Sequence, residues 1–167
     1  LLYSGNDNAV AIADHIAGST EKFAEMMNAE AKKLMATNSH FVNPSGLHDD
    51  NHYTTAYDLY LIFNECIKHD DFVKIINSSS YTAHITGADG TKRDVKWEPT
   101  NYYAKGEATP PDNVTIIGGK TGTTKGAGNC LILLTKDSSG NPYISIIMGA
   151  GSKPLLYQDM TSMLSKI

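Results

Sequence analysis

Apolar residues in the first half of the chain recur at the spacing of amphipathic helices. They predict three helices and a short helical turn, over residues 8–17, 20–34, 55–67 and 72–76. Gly18 supplies a stop after the first helix. Thr55 followed by Asp58 resembles a capping box at the start of the third helix, with Asp in place of Glu. The stripe of the second helix is expected to face the core: Phe23, Met26, Met27, Ala31 and Leu34.

The second half of the chain changes to the alternating pattern of β-strands. Residues 81–86 and 92–98 predict a hairpin, and residues 99–113 predict a loop. Three apolar runs follow and are expected to form antiparallel strands: 114–118, 130–135 and 143–148. Residues 158–167 predict a closing helix that turns four side chains toward the sheet: Met160, Met163, Leu164 and Ile167.

Helices followed by antiparallel strands and a terminal helix predict an α+β fold. We expect one partial domain over residues 1–167, mainly helical over 1–80 and mainly sheet over 81–167. The predicted sheet is small for the number of helices that it must cover.

Composition and charge narrow the functional classes. With 41% apolar residues among 167, the chain can bury a core, and its net charge of -4 argues against nucleic acid as a partner. No apolar run reaches the ~18 residues that span a bilayer. Cys66 and Cys130 fit no metal-binding spacing, so two buried thiols are favoured over a disulfide. Because the chain begins at Leu1 without Met, we expect that an upstream segment has been removed.

Residues 118–124, Gly-Gly-Lys-Thr-Gly-Thr-Thr, follow an apolar strand and lack the spacing of a phosphate-binding Walker loop. A lysine between glycines at a strand end gives a fixed cation beside unobstructed backbone. An extended peptide could pair with such an edge as an added strand. The motif therefore favours a substrate that ends in a carboxylate.

Ser4-Gly5-Asn6 precedes the first helix, where an ordinary turn and helix cap would also explain it. The same triplet recurs at residues 139–141 inside a strand-connecting turn, to which we assign no function. A Ser-x-Asn followed by Lys-Thr-Gly nevertheless resembles two motifs of penicillin-binding proteins and serine β-lactamases. Further segments resemble the D-alanyl-D-alanine carboxypeptidase family, peptidase family S11: residues 23–28, 40–47, 52–59 and 120–124.

The resemblance implies a β-lactamase/transpeptidase-like fold, incomplete in this chain, and a role for each matching residue. Ser4 would pass a proton to the leaving amine, Asn6 would hold the substrate peptide, and Lys120 would supply positive potential. Thr121 and Gly122 would line the strand edge, and the N–H of Thr123 would be one oxyanion donor. No metal or organic cofactor is implied.

The nucleophile motif of the family, Ser-x-x-Lys, lies upstream of Ser-x-Asn. The single match here is Ser19-Thr20-Glu21-Lys22, downstream of Ser4, where we expect Ser19 to begin a helix instead. The chain alone is therefore expected to be inactive.

Two other functional classes and a metal site remain as alternatives. The chain could be a noncatalytic peptidoglycan-binding module, although such a module has no need of Ser4, or part of a serine β-lactamase. His48-Asp49-Asp50-Asn51-His52 also contains metal-ligating side chains, but a solvated loop is favoured over a metal site because no regular helix aligns the two imidazoles.

The resemblance also implies partners and a location. The substrate would be the peptidoglycan stem peptide ending in D-Ala-D-Ala, β-lactam antibiotics would bind the same site, and the enzyme would work outside the cytoplasm. The N-terminal part of its own domain would complete the sheet. Without that part, we expect self-association through an open sheet edge.

Overall fold

The computed structural model describes residues 1–167, of which the first half contains four helices: α1 Asn6–Ala17, α2 Thr20–Lys33, α3 Ala56–Cys66 and α4 Asp70–Ile76. Gly18 ends α1 in the left-handed conformation, with φ 78°. The side chain of Ser19 accepts a hydrogen bond from the backbone N–H of Lys22 at 3.2 Å. The predicted helix-start role of Ser19 is confirmed.

Only half of the predicted capping box forms at α3. The Thr55 hydroxyl accepts from the backbone N–H of Asp58 at 3.1 Å, but the Asp58 carboxylate does not return the bond. It accepts instead from the N–H of Asn38 and the hydroxyl of Ser39, both at 2.7 Å. Asp58 is 1% exposed, and these hydrogen bonds tie the loop before α3 to that helix.

The second helix packs through small residues rather than through its long apolar side chains. Ala24 and Ala31 are buried, whereas Met26 is 51% exposed, so the predicted core position of Met26 is wrong. Ile12 and Ile16 of α1 are also more than half exposed. No other part of the chain covers this apolar surface. The self-association of the isolated chain stays a prediction.

The second half forms a hairpin and a three-stranded antiparallel sheet in the order β3-β4-β5. Its elements are β1 Tyr81–Thr86, β2 Lys92–Trp97, α5 Tyr102–Lys105, β3 Val114–Thr124, β4 Gly128–Asp137, β5 Pro142–Ala150 and α6 Lys153–Leu164. The hairpin and the meander are confirmed. The predicted loop over 99–113 contains the short helix α5, whose start is capped by Asn101 through the N–H of Tyr103.

The third strand continues through the lysine motif, beyond the predicted end at residue 118. Its backbone stays in register with β4, with Lys120 opposite Ile132 and Gly122 opposite Cys130. Apolar periodicity could not reveal this extension because glycine and threonine replace the apolar residues there.

The closing helix begins five residues earlier than predicted. Ser152 caps it by accepting from the N–H of Leu155 at 3.3 Å, and Pro154 is tolerated because it lies in the first turn. Met163 is 36% exposed, so the prediction that it faces the sheet is wrong. The main core consists of side chains from β4 and α6 that are at most 1% exposed: Leu131, Leu133, Met160 and Leu164. None of the helices combines the length and hydrophobicity needed to cross a bilayer.

Gly118 lets α4 approach β3 closely. A Cβ atom at this position would lie 2.2 Å from the carbonyl oxygen of Ile76, and the strand carries an irregularity between Ile116 and Gly118. Residue 118 therefore sets how α4 lies against the strand that carries Lys120.

Gly118→Ala is expected to lower the free energy of unfolding by about 3 kcal/mol, because backbone must move to admit the methyl group. Denaturant unfolding measures the change. Gly122→Ala is the matched control in the same strand, since no atom lies within 4 Å of the added carbon. Equal stability of the two variants would contradict the proposed packing constraint.

Candidate active site

Two residues far apart in sequence meet where α1 begins beside β3. The Lys120 ammonium donates to the Ser4 hydroxyl at 2.7 Å, across 116 positions of sequence. It also donates to the carbonyl oxygen of Thr121 at 2.5 Å. The structure thus brings together the two predicted catalytic residues that carry a proton-exchanging side chain.

The Lys120 ammonium has no carboxylate partner among the ion pairs of the chain. Burial lowers the pKa of Lys120 from its ordinary value because the desolvated charge is not compensated by an anion. A cation in this state can attract a substrate carboxylate, and it releases a proton more readily than a solvated lysine does.

The backbone of Ser4 is in the left-handed region, with φ 64°, which is rare for a residue with a side chain. Its N–H donates to the carbonyl oxygen of Leu1 at 3.2 Å. This conformation lies directly before α1, whose N-cap is Gly5. The strained turn sets the position from which the Ser4 hydroxyl contacts Lys120.

Asn6 is the first residue of α1, and its exposed side chain makes no hydrogen bond within the chain. It lies two residues after Ser4 but contacts neither Ser4 nor Lys120 by hydrogen bond. The structure therefore leaves this amide free for a ligand, without bringing it into the Ser4–Lys120 pair.

The predicted substrate-binding residues follow Lys120 along an edge strand. The hydroxyls of Thr121 and Thr100 lie 2.6 Å apart, and the Thr123 hydroxyl donates to the side-chain oxygen of Asn129 at 3.3 Å. The space beside Gly122 is open, since no atom lies within 4 Å of the position that a Cβ would take. Because β3 has a paired neighbour in its sheet only on the β4 side, an extended peptide has access to its other edge.

A cleft of about 220 Å³ joins these residues to others that the sequence did not single out. Ser4, Thr121, Gly122 and Thr123 line it together with side chains from the 99–113 segment, β4 and α6: Thr100, Tyr102, Cys130, Lys153, Leu156 and Tyr157. Thr100 and Tyr102 were not singled out because they lie in a stretch without periodicity. Lys153 lies before the predicted start of its helix.

The aromatic wall of the cleft is held by stacking and hydrogen bonds. The rings of Tyr102 and Tyr157 stack with centroids 4.6 Å apart, and the Tyr157 hydroxyl accepts from the N–H of Tyr102 at 2.9 Å. Burial raises the pKa of Tyr157. The ring of Tyr102 is therefore fixed between the cleft and the surface.

The two histidines of the 48–52 segment make separate interactions. The His48 ring lies 3.5 Å from Asp50, whereas His52 accepts from the N–H of Val42 at 3.2 Å, and burial lowers the pKa of His52. A Cβ on Gly126 would lie 2.8 Å from the His48 ring. The loop thus contacts the turn after β3, and no group of three metal-ligating side chains forms.

Both cysteines are free and are half-buried, rather than buried as predicted. Burial raises the pKa of the Cys66 thiol, which keeps it protonated. Cys130 lies in the cleft wall opposite Gly122.

The chain is similar to known proteins over most of its length. The family model described as D-alanyl-D-alanine carboxypeptidase, Peptidase_S11, matches residues 1–152. The D-alanyl-D-alanine carboxypeptidase DacF of Bacillus subtilis is 31% identical over 168 residues, which cover 98% of this chain and 39% of that protein. The carboxypeptidase DacD of Escherichia coli is 34% identical over 154 residues, which cover 91% of this chain and 36% of that protein.

Solved structures show the same fold. The DD-transpeptidase of Streptomyces K15 superposes with a TM-score of 0.88 at 28% identity, covering 99% of this chain and 63% of that one. The D-alanyl-D-alanine carboxypeptidase of Mycobacterium tuberculosis gives 0.78 at 27% identity, covering 98% of this chain and 59% of that one. The chain spans less than two fifths of the two carboxypeptidases from B. subtilis and E. coli. It belongs to the D-alanyl-D-alanine carboxypeptidase family, peptidase family S11, and has a partial transpeptidase-like α+β fold.

Proposed function

We propose that the chain is the C-terminal part of the catalytic domain of a serine-type D-Ala-D-Ala carboxypeptidase. The complete enzyme would remove the terminal D-alanine of peptidoglycan pentapeptide stems through an acyl-enzyme, with water as the second substrate. The observation that carries this proposal is the 2.7 Å contact between Lys120 and Ser4 beside the open edge of β3. The nucleophilic serine and its lysine partner would come from a segment outside this chain.

Each residue of the site has a role in that reaction. The stem peptide pairs with the edge of β3 beside Gly122, and Asn6 holds its amide group. The nucleophile attacks the penultimate D-alanyl carbonyl, and the N–H of Thr123 stabilises the oxyanion. The C–N bond breaks as the Ser4 hydroxyl passes a proton to the leaving amine.

Lys120 has two roles, one in binding the charged end of the substrate and one in proton transfer. Its ammonium attracts the terminal carboxylate of the substrate, and its contact with Ser4 orients the hydroxyl that serves the leaving group. The lowered pKa supports this role because a lysine that titrates nearer to neutral pH exchanges protons more easily. Thr121 completes the groove through its hydroxyl. The mechanism uses no metal and no organic cofactor.

Such a reaction takes place where peptidoglycan is, so the complete enzyme would be extracytoplasmic. β-Lactam antibiotics would acylate the same serine. The exposed apolar face of α1 and the other free edge of the sheet, at β5, would be covered by the N-terminal part of the domain.

Penicillin labelling tests the function and the assignment of Ser19 together. Fluorescent penicillin is expected to leave no covalent label on the isolated 167 residues, because the nucleophile of the acyl-transfer unit is absent. The complete enzyme is expected to form a long-lived label, detected by gel fluorescence and located by peptide mapping.

The lifetime of the label separates the alternatives. A short-lived acyl-enzyme would identify a serine β-lactamase, and the lack of any label on the complete protein would identify a noncatalytic module. A label on Ser19 of the isolated chain would contradict its role as a helix cap.

A further inference from the structure

A second cavity, of about 380 Å³, opens beside the cleft on the side of Thr100 and Tyr102. We call it the lysine shelf and define it by six of its lining residues: Lys96, Glu98, Thr100, Tyr102, Lys105 and Lys153. Thr100, Tyr102 and Lys153 line both spaces, so the shelf continues the cleft.

The shelf carries an excess of positive charge. Lys96 pairs with Glu98 at 2.9 Å and Lys105 pairs with Glu107 at 2.5 Å, whereas Lys153 pairs with no carboxylate. The ammonium groups of Lys105 and Lys153 lie 5.6 Å and 5.7 Å from the centroid of the Tyr102 ring. An anion bound there would find an unpaired cation beside a fixed aromatic ring.

Apart from its contact with the Tyr102 ring, nothing in the fold explains the charge of Lys153. This residue is the first of α6, where the helix dipole disfavours a cation. Its side chain is exposed and makes no hydrogen bond within the chain. The charge of Lys153 does not stabilise the helix, so binding a negatively charged ligand would give this lysine a function.

The position of the shelf indicates which part of a substrate would reach it. Tyr3 and Thr100 bring the shelf next to Ser4 and Thr121, and under the proposed function Ser4 protonates the leaving amine. The leaving group therefore lies toward the shelf, and the acyl half of the substrate lies away from it.

We propose that the lysine shelf is a leaving-group subsite that binds a second carboxylate through Lys153. This inference rests on the proposed function. The enzyme would then cleave D-alanyl amide bonds to acidic leaving groups in addition to terminal D-alanine. The D-alanyl C–N bond breaks, the amine leaves with the proton passed by Ser4, and water then adds OH to the acyl carbon and returns a proton to the enzyme.

The test uses the complete enzyme and three peptides with the same acyl half, whose leaving groups are D-alanine, D-glutamate and D-glutamine. D-Glutamate and D-glutamine differ in charge but hardly in shape. The ratio of their kcat/KM values is expected to favour D-glutamate about five-fold, as for a partly exposed ion pair. Lys153→Met is expected to bring the ratio close to one, whereas Lys92→Met, on the hairpin outside the shelf, is expected to leave it unchanged.

Two results would overturn the subsite. If the D-alanine peptide is cleaved and the wild-type ratio is one, no charge is recognised on the leaving group. A ratio that survives in Lys153→Met would place the recognition elsewhere. If none of the three peptides is cleaved, the carboxypeptidase function itself fails, and the subsite fails with it.

Discussion

Lys120→Met in the complete enzyme is expected to lower the rate of acylation by penicillin by roughly 10²–10³-fold, as for other lost electrostatic stabilisers of an acyl-transfer site. The ammonium is the only group that donates to the Ser4 hydroxyl, so its loss removes both the positive potential and the orientation of Ser4. Stopped-flow acylation with a chromogenic β-lactam measures the rate. Lys92→Met is the matched control, because Lys92 is an exposed lysine at the start of β2.

The same substitution should not weaken the fold. Lys120 is a desolvated cation without a carboxylate partner, so methionine removes an unfavourable burial of charge. We therefore expect the unfolding midpoint of Lys120→Met at neutral pH to equal or exceed that of the wild type. A lower midpoint together with slow acylation would show that Lys120 is a structural residue.

The pH dependence of stability follows from the direction of the shift. The folded pKa of Lys120 is below its ordinary value of 10.5, so between these two values the unfolded chain binds more protons than the folded one. Stability then rises with pH across that interval. This contribution should be absent from Lys120→Met, and unfolding curves of both proteins at rising pH would detect the difference.

Replacing Ser4 is expected to slow the hydrolysis of D-Ala-D-Ala peptides by about 10²–10⁴-fold, the usual contribution of a positioned proton-transfer group. Two variants separate chemistry from backbone strain. Ser4→Ala and Ser4→Gly both lack the hydroxyl, but only glycine adopts φ 64° without a steric cost. Ser4→Gly should therefore be more stable than Ser4→Ala by about 1 kcal/mol.

Kinetics and unfolding of the two Ser4 variants together decide the role of this residue. Equal loss of kcat/KM with unequal stability would assign the loss to the hydroxyl. If Ser4→Gly retained near wild-type kcat/KM, Ser4 would matter only for the shape of the turn. Ser139, in the second copy of the Ser-Gly-Asn triplet, provides a control, since Ser139→Ala should change neither quantity.

Much of the secondary structure was predictable because its causes are local. Helical spacing, the stop at Gly18 and the cap at Ser19 each depend on residues within a few positions, and the structure confirms them. The hairpin before residue 98 was predictable for the same reason. The Lys-Thr-Gly and Ser-x-Asn motifs, read with the segments between them, were enough to indicate the family.

Tertiary structure decided what depends on contacts between distant parts of the chain. The partner of Asp58 is a loop about 20 positions away, so a capping box could not be distinguished from a loop anchor by spacing alone. Met26 lies on the hydrophobic stripe of α2 and is nevertheless 51% exposed, because burial depends on which other elements pack against the helix, and the stripe alone does not reveal this.

The candidate active site likewise combines features that the sequence determines with features that only the tertiary structure produces. The sequence determined that a serine before a helix and a lysine between glycines are present, and the resemblance assigned them to one site. Their 2.7 Å contact, the strain at Ser4 and the desolvation of Lys120 arise only when α1 and β3 are packed together. The same holds for three other residues of the cleft: Thr100, Tyr102 and Lys153. Packing of α5 and α6 on the sheet places them beside Ser4, and no local sequence pattern indicates that position.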